Sequence, residues 1–314
     1  MDWPPTILHA VSQSFDSAGN RRVQPNHWFR GSLEGIPPED LAPLLSWRKN
    51  LSWTILTHVT AQAALQQRSI RSSSIRSPRE QRLPLAGFKG ILSGLRNYIA
   101  RLEPGKNATV WADYAGANSY ADTEAAEKRT FVSEMVEATK PKVLFDLGCN
   151  SGDYSQVALD AGTQSVVGFD FDHGALEHAY RRFDATGAQV LPLWLDAANP
   201  SPSQGWAQSE RKGLAERAKA DAMIALAFIH HIAIGRNIPL DMALDWLIAM
   251  APTGVIEFPP KSDPMVQRLL SQREDIFPNY EEANFLVLLN QRARIIRSKH
   301  LSEGGRLLVW YDRS

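Results

Sequence analysis

From Lys142 onward the chain alternates short apolar runs with longer segments of mixed polarity. The runs are Lys142 to Leu147, Ser165 to Phe171, Gln189 to Leu195, Asp221 to Phe228 and Gly254 to Phe258. Near-continuous apolar strands joined by helical crossovers predict an α/β fold: a doubly wound, mostly parallel sheet with helices on both faces. The pattern changes near the end. Ala293 to His300 and Arg306 to Tyr311 read as strands joined by Ser302-Glu303-Gly304-Gly305, the signal of an antiparallel hairpin. Ahead of the first strand, a helix is predicted over Thr123 to Thr139. Asp122 caps it, Glu124 and Glu127 favour its positive end, and Pro141 stops it.

The earlier part of the chain has no such alternation. Pro37-Pro38-Glu39-Asp40 opens one helical segment, and Leu51 to Gln67 forms another with apolar positions at Trp53, Leu56, Val59 and Ala63. From Arg68 to Arg82 the composition shifts to Ser and Arg with little apolar bulk, which predicts a linker or mobile loop; its basic character offers phosphate contacts as the second reading. The expected organisation is a small helical region over 1–67, a Ser/Arg-rich linker and connecting helix over 68–104, and the α/β domain over 105–314.

Composition narrows the function classes. The chain has 314 residues, with Lys plus Arg and Asp plus Glu at 34 each, so no global charge draws it to nucleic acid or an anionic membrane. Its one cysteine, Cys149, excludes an intramolecular disulfide and a cysteine-rich zinc site and fits a reducing compartment. The opening Met1-Asp2-Trp3-Pro4-Pro5 lacks a secretory pattern, and no stretch approaches the roughly 18 apolar residues of a membrane span. The expectation is a soluble cytoplasmic protein.

The candidate chemistry begins where the first strand ends, at Asp146-Leu147-Gly148-Cys149-Asn150-Ser151-Gly152. Gly148 and Gly152 remove side chains where backbone must approach a ligand, and Asn150 tolerates the left-handed conformation. The helix that begins near Tyr154 presents free N–H groups to an anionic ligand group. About twenty residues on, Val166-Val167-Gly168-Phe169-Asp170 places a carboxylate at a strand end, where it accepts from paired ribose hydroxyls. Asp172 is the expected cap of the following helix. The third strand ends in Leu195-Asp196-Ala197, either a ligand-binding acid or a turn aspartate. Asp221 begins the fourth strand and reads as structural. After it come Ala225-Leu226-Ala227-Phe228-Ile229-His230-His231 on the ligand edge. Histidine acts as a base near neutral pH, and adjacent histidines are expected to diverge, so that one at most faces the ligand. Glu257 ends the fifth strand and needs a partner, either a substrate or a neighbour such as Arg236 or Lys261.

The stretch Val143 to Gly152 resembles the first motif of class I methyltransferases dependent on S-adenosylmethionine (SAM), and the terminal hairpin resembles the sixth and inserted seventh strands of that class. The resemblance implies a seven-stranded Rossmann-like methyltransferase sheet and a SAM site. Asp146 would meet the ligand's ammonium and Gly148, Cys149, Asn150, Gly152 and Tyr154 its amino-acid portion. Asp170 would bind the ribose, with Phe171, Asp196 and Ala197 around the adenine. Ala227 would lie at the reacting edge with His230, His231 and Glu257 as candidate catalytic residues. Trp111-Ala112-Asp113-Tyr114 and Ser119-Tyr120 would form an aromatic lid or, alternatively, core packing, with Tyr114 and Tyr120 toward the cofactor. Cys149 reads as a packing residue.

A longer pattern resembles a bacterial group related to the nodulation protein NoeA. It comprises Trp111 to Tyr114, Ser119-Tyr120, Asp146 to Gly152, Asn199-Pro200-Ser201-Pro202 with Gly205-Trp206, Ile229-His230-His231, Asn237-Ile238-Pro239-Leu240, and Val255-Ile256-Glu257-Phe258 with Asp263-Pro264-Met265-Val266. The group implies methyl transfer from SAM without a metal, to an acceptor that it does not identify. A small molecule or glycan suits the neutral charge; RNA or protein suits the additional N-terminal region, which looks shorter than the group's. The competing readings are a catalytically silent SAM-binding interaction module and an NAD-dependent oxidoreductase.

Overall fold

The computed structural model describes residues 30, 31, 33, 35–45, 51–71, 83–102, 122–271, 273–301 and 305–313. The chain divides into two compact units, Met1–Lys106 with Ser203–Arg211, and Asn107–Pro202 with Lys212–Ser314.

The first unit is helical. Helix α1 (Pro38–Leu41) starts on proline with Glu39 and Asp40 in its first turn, where their charge meets the free N–H groups. Helix α2 (Trp53–Ile55) passes through a π-helical turn, Leu56–Thr60, into α3 (Ala61–Arg71). Helix α3 therefore continues past Arg68, where a linker was expected to begin; arginine is a good helix former, so the change of composition does not itself break a helix. Most of the expected linker, 72–82, lies outside the described residues. Helix α4 (Leu85–Ala100) follows, entered through Pro84. Ile55 and Ala63 are the buried apolar side chains among the described residues of this unit.

The second unit holds helix α5 (Asp122–Thr139) and a seven-stranded sheet in the order β3-β2-β1-β4-β5-β7-β6. The strands are β1 (Val143–Leu147), β2 (Ser165–Asp170), β3 (Val190–Trp194), β4 (Ala222–Ala225), β5 (Thr253–Phe258), β6 (Arg294–His300) and β7 (Leu307–Asp312). The first five run parallel, while β7 inserts between β5 and β6 antiparallel to both. The expected doubly wound sheet with its terminal hairpin is thus the fold. The crossovers carry α6 (Asp153–Asp160), α7 (His173–Thr186), α8 (Leu214–Arg217), α9 (Ile229–Ala233) and α10 (Leu240–Met250); α11 (Pro264–Leu270) and α12 (Glu282–Asn290) precede the hairpin.

Alternation along each strand divides the core between the two faces. Leu144, Ile224, Val255 and Leu308 pack with Phe131, Val132, Met135 and Val136 of α5. Phe145, Met223, Ile256 and Val309 join Leu244 and Leu247 of α10 and Phe285 and Leu289 of α12. Asp221 is structural, as expected: its Oδ2 accepts from the N–H groups of Lys142 and Val143, both at 2.9 Å, and fixes the start of β1 against β4. Strand order reverses between β1 and β4, where an open α/β sheet leaves a crevice beyond the carboxyl ends of its strands. No helix among the described residues is long and apolar enough to cross a membrane.

Candidate functional site

A cavity of about 440 Å³ occupies that crevice, within the range of small-molecule sites. One wall is the turn after β1. Gly148, Asn150 and Gly152 have φ of 80°, 48° and 83°, so the left-handed conformation expected for Asn150 is present in three residues of five. The N–H groups of Gly148 and Cys149 both donate to the Phe169 carbonyl, at 2.8 and 3.0 Å, binding the turn to β2. At Gly152 a Cβ would stand 2.4 Å from the Phe183 ring, so space and φ both demand glycine. Gly168 makes room for the Cys149 sulfur, which a Cβ there would meet at 2.9 Å. Burial pushes the Cys149 thiol well up, which fits a packing residue rather than a nucleophile.

Five carboxylates line the cavity, those of Asp146, Asp153, Asp170, Asp172 and Asp196. Asp146 accepts from the Ser155 hydroxyl at 2.6 Å, a partner on α6 that the sequence reading had not identified. Burial pushes its carboxyl up to about 7; the Ser155 hydroxyl opposes the rise and the neighbouring Asp170 adds to it. Asp170 accepts from the backbone N–H of Asn150 and of Asp172, each at 2.8 Å, and burial raises its pKa as well. Asp172 caps α7 as expected, accepting from Ala175 N–H at 2.9 Å. Asp196 holds both of its oxygens against Arg236 Nη2, at 3.1 and 2.9 Å, and also accepts from Ala198 N–H. Phe171 is 59 % exposed at the rim, its ring 5.6 Å from that of Trp194, whose indole N–H donates to the Phe171 carbonyl. Tyr154 and Ala197 also face the cavity, whereas Gly152 supports the wall from behind. The expected lid residues Tyr114 and Tyr120 lie outside the described residues.

The opposite wall follows β4. His230 and His231 both line the cavity, with ring centroids 4.1 Å apart, which corrects the expectation that adjacent histidines diverge. They sit in the short helix α9, where successive side chains turn by about 100° rather than alternating as on a strand. His230 is 1 % exposed and neither ring nitrogen has a hydrogen-bond partner among the described residues. Burial drives the pKa of both rings down, that of His231 to about 4, and the Arg306 cation adds to the effect on each.

Glu257 is a correction. Neither Arg236 nor Lys261 partners it; those pair with Asp196 and Asp275. Glu257 is fully buried behind the wall rather than on it, with Oε1 2.7 Å from Lys128 Nζ and 3.1 Å from Arg306 Nη1. Arg306 Nε also reaches Asp263 Oδ2 at 2.7 Å, and Asp263 caps α11 through Met265 N–H. Four charges, two of each sign and each at most 3 % exposed, thus neutralise one another in the core. Burial alone would raise Glu257, but Lys128 and Arg306 outweigh it and hold its carboxyl below the usual range. Its Oε2 accepts from Ala227 N–H at 2.7 Å, bracing a residue with φ of 47° on the cavity wall. The sequence reading missed Lys128, Asp263 and Arg306. The one sequence signal was the carboxylate of Glu257 itself, which an apolar strand end can bury only with partners.

No protein-family model matches the chain. It is 44% identical over 294 residues to the nodulation protein NoeA of Rhizobium meliloti (strain 1021), an alignment covering 91% of this chain and 61% of that protein. The chain therefore spans less than two thirds of this relative's length. Among solved structures, magnesium protoporphyrin IX methyltransferase (ChlM) from Synechocystis PCC 6803 with bound SAH aligns with a TM-score of 0.45 and 18% identity, over 71% of this chain and 94% of that one. The N-methyltransferase NodS from Bradyrhizobium japonicum WM9 aligns with a TM-score of 0.44 and 10% identity, over 61% and 97%.

Proposed function

We propose that the second unit binds SAM in this cavity and transfers its methyl group to an oxygen, nitrogen or carbon of an acceptor. The observation that carries the reading is the left-handed turn Gly148 to Gly152 set beside the buried carboxylate of Asp146 and the half-buried one of Asp170, at the point where strand order reverses. The residues fit the cofactor. A Cβ at Gly148 would lie 3.1 Å from Phe228, so the turn keeps backbone rather than side chains at the cavity. Asp146, costly to ionise when unpaired, is suited to an ammonium partner. Asp170 spends one bond per oxygen on backbone and keeps a lone pair on each for paired hydroxyls. Asp196 retains acceptor capacity for an amino group beyond Arg236 and Ala198.

When bound, the cofactor supplies a methyl group activated by its sulfonium, so the chain need only orient the acceptor and exclude water. His230 and His231 are neutral at physiological pH and offer lone pairs to an acceptor's N–H or O–H. With His231 near 4, full proton abstraction has little driving force, because an efficient base has a pKa near the working pH. The pair thus orients more than it deprotonates. That favours an uncharged small-molecule or glycan acceptor over an acidic polymer.

Calorimetry of the full chain with SAM, its demethylated product and NAD tests the reading. Micromolar-scale binding of the first two without competition from NAD is expected; NAD binding with no SAM binding overturns it. Transfer of label from SAM into small molecules of a cell extract then separates the enzyme from a silent SAM-binding module.

A further inference from the structure

Helix α4 belongs to the first unit, and its surface is unusual. No residue of the helix is buried, yet Leu85, Phe88, Ile91 and Leu92 are 40 to 67 % exposed. At about 100° per residue, these four with Leu95 and Ile99 occupy one arc spanning roughly a third of the helix circumference. The opposite arc carries Gly87, Gly90, Ser93, Gly94 and Asn97. Lys89 and Arg96, two turns apart, stand on the border between the arcs.

Charge distinguishes what would cover such a face. The chain is neutral overall, but residues 68–102 hold eight Lys and Arg against one acid, Glu80. No acidic residue lies between Gln81 and Leu102. A protein core would suit the apolar arc but not this charge, and a nucleic acid would suit the charge but leave the arc uncovered. An anionic lipid surface suits both: the arc enters the acyl boundary while border cations reach the headgroups. The helix is too short to span a bilayer and carries Lys89 in its middle, so it lies in the surface plane. Trp53, 76 % exposed on the neighbouring helix α2, supplies a side chain of the kind enriched at that interface.

We propose that α4 is a membrane-surface helix that docks the protein on anionic lipid, with Lys89, Arg96 and the following Arg101 reaching the headgroups. Sedimentation of the full chain with vesicles of phosphatidylcholine alone, or with about one third phosphatidylglycerol, tests this; the anionic vesicles are expected to bind at least about tenfold more tightly and to release protein at high salt. Phe88→Asp with Leu92→Asp is expected to abolish binding without changing the melting temperature. Lys89→Glu with Arg96→Glu is expected to weaken it by about tenfold or more. Slower amide exchange over 85–100 on adding anionic vesicles would locate the contact. Three results overturn the proposal: equal or absent binding to the two vesicle types, vesicle binding that survives the Asp pair, or a marked fall in melting temperature in the Asp pair, which would show that the chain itself covers the face. Capture of tRNA in place of vesicles, unaffected by the Asp pair, would assign the basic stretch to nucleic acid and also overturn it.

Discussion

The two walls of the cavity are made by different means. The wall beside β1 and β2 comes from one stretch of chain, Asp146 to Asp170, in which glycines, one left-handed asparagine and two carboxylates shape a turn by local rules. The wall beyond β4 rests on Lys128, Glu257, Asp263 and Arg306, drawn from α5, β5, the cap of α11 and the edge of β7. The first wall leaves carboxylates short of partners, with Asp146 raised to about 7. The second satisfies its charges internally and leaves two imidazoles uncharged. The proposed binding of a cationic cofactor beside an uncharged acceptor calls for this division.

The strongest way to break the comparison is Arg306→Leu. It leaves Glu257 with Lys128 and takes from Asp263 the guanidinium paired with it, and is expected to lower unfolding stability by about 3 to 5 kcal/mol, read by chemical denaturation; a loss under about 1 kcal/mol would show that the quartet does not support this wall.

His230→Ala and His231→Ala come next. Each is expected to leave SAM affinity unchanged, while at least one slows methyl transfer by about tenfold to a thousandfold. If both variants stay folded and turn over at the wild-type rate, the acceptor does not meet this pair.

Asp170→Ala is expected to weaken SAM binding by about 1 to 3 kcal/mol, and calorimetry on the folded variant decides it. Transfer rate at saturating SAM serves as the contrast with the histidine variants.

The smallest expected effect is a pH dependence of up to about tenfold per unit. Asp146 must be ionised to meet an ammonium, so SAM affinity is expected to rise from pH 5 to about 7 and then level off, with Asp146→Asn abolishing the trend. Stability moves the other way for this group. A carboxyl raised in the folded state contributes stability below its unfolded pKa, and that contribution is lost as pH climbs through about 7. Glu257, held low, contributes above its unfolded pKa and loses that contribution on acidification through its folded value. Melting curves of Asp146→Asn and Glu257→Gln against pH should therefore diverge from wild type in opposite directions.

The sheet was legible because buried parallel strands must be apolar throughout, and a hairpin must be bounded by turn residues. The β1 turn was legible because φ above zero demands Gly or Asn within a few positions of the strand end. Asp172 as a cap and Asp221 as a structural acid were readable for the same local reason. The histidine geometry was not, because a strand-like reading of Asp221 to Phe228 overlooked that β4 ends at Ala225 and gives way to helix α9. Nor were the partners of Glu257: Lys128 precedes it by most of the α/β unit and Arg306 follows it just ahead of β7, and no spacing rule connects them. Lys261 and Arg236 were nearer cations in sequence, but Lys261 faces Asp275, and Arg236, which follows α9, faces Asp196.

The insertion of β7 between β5 and β6 sets an order of assembly. Everything needed for the β1 turn and Asp170 has been synthesised long before Arg306. A growing chain can therefore close the wall beside β1 while Glu257 still lacks its guanidinium, since contacts distant in sequence form late. The wall beyond β4 is completed only when the last strand threads between its two neighbours, so on the proposed function competence to receive an acceptor would report that the whole unit has folded, whereas competence to hold the cofactor would not.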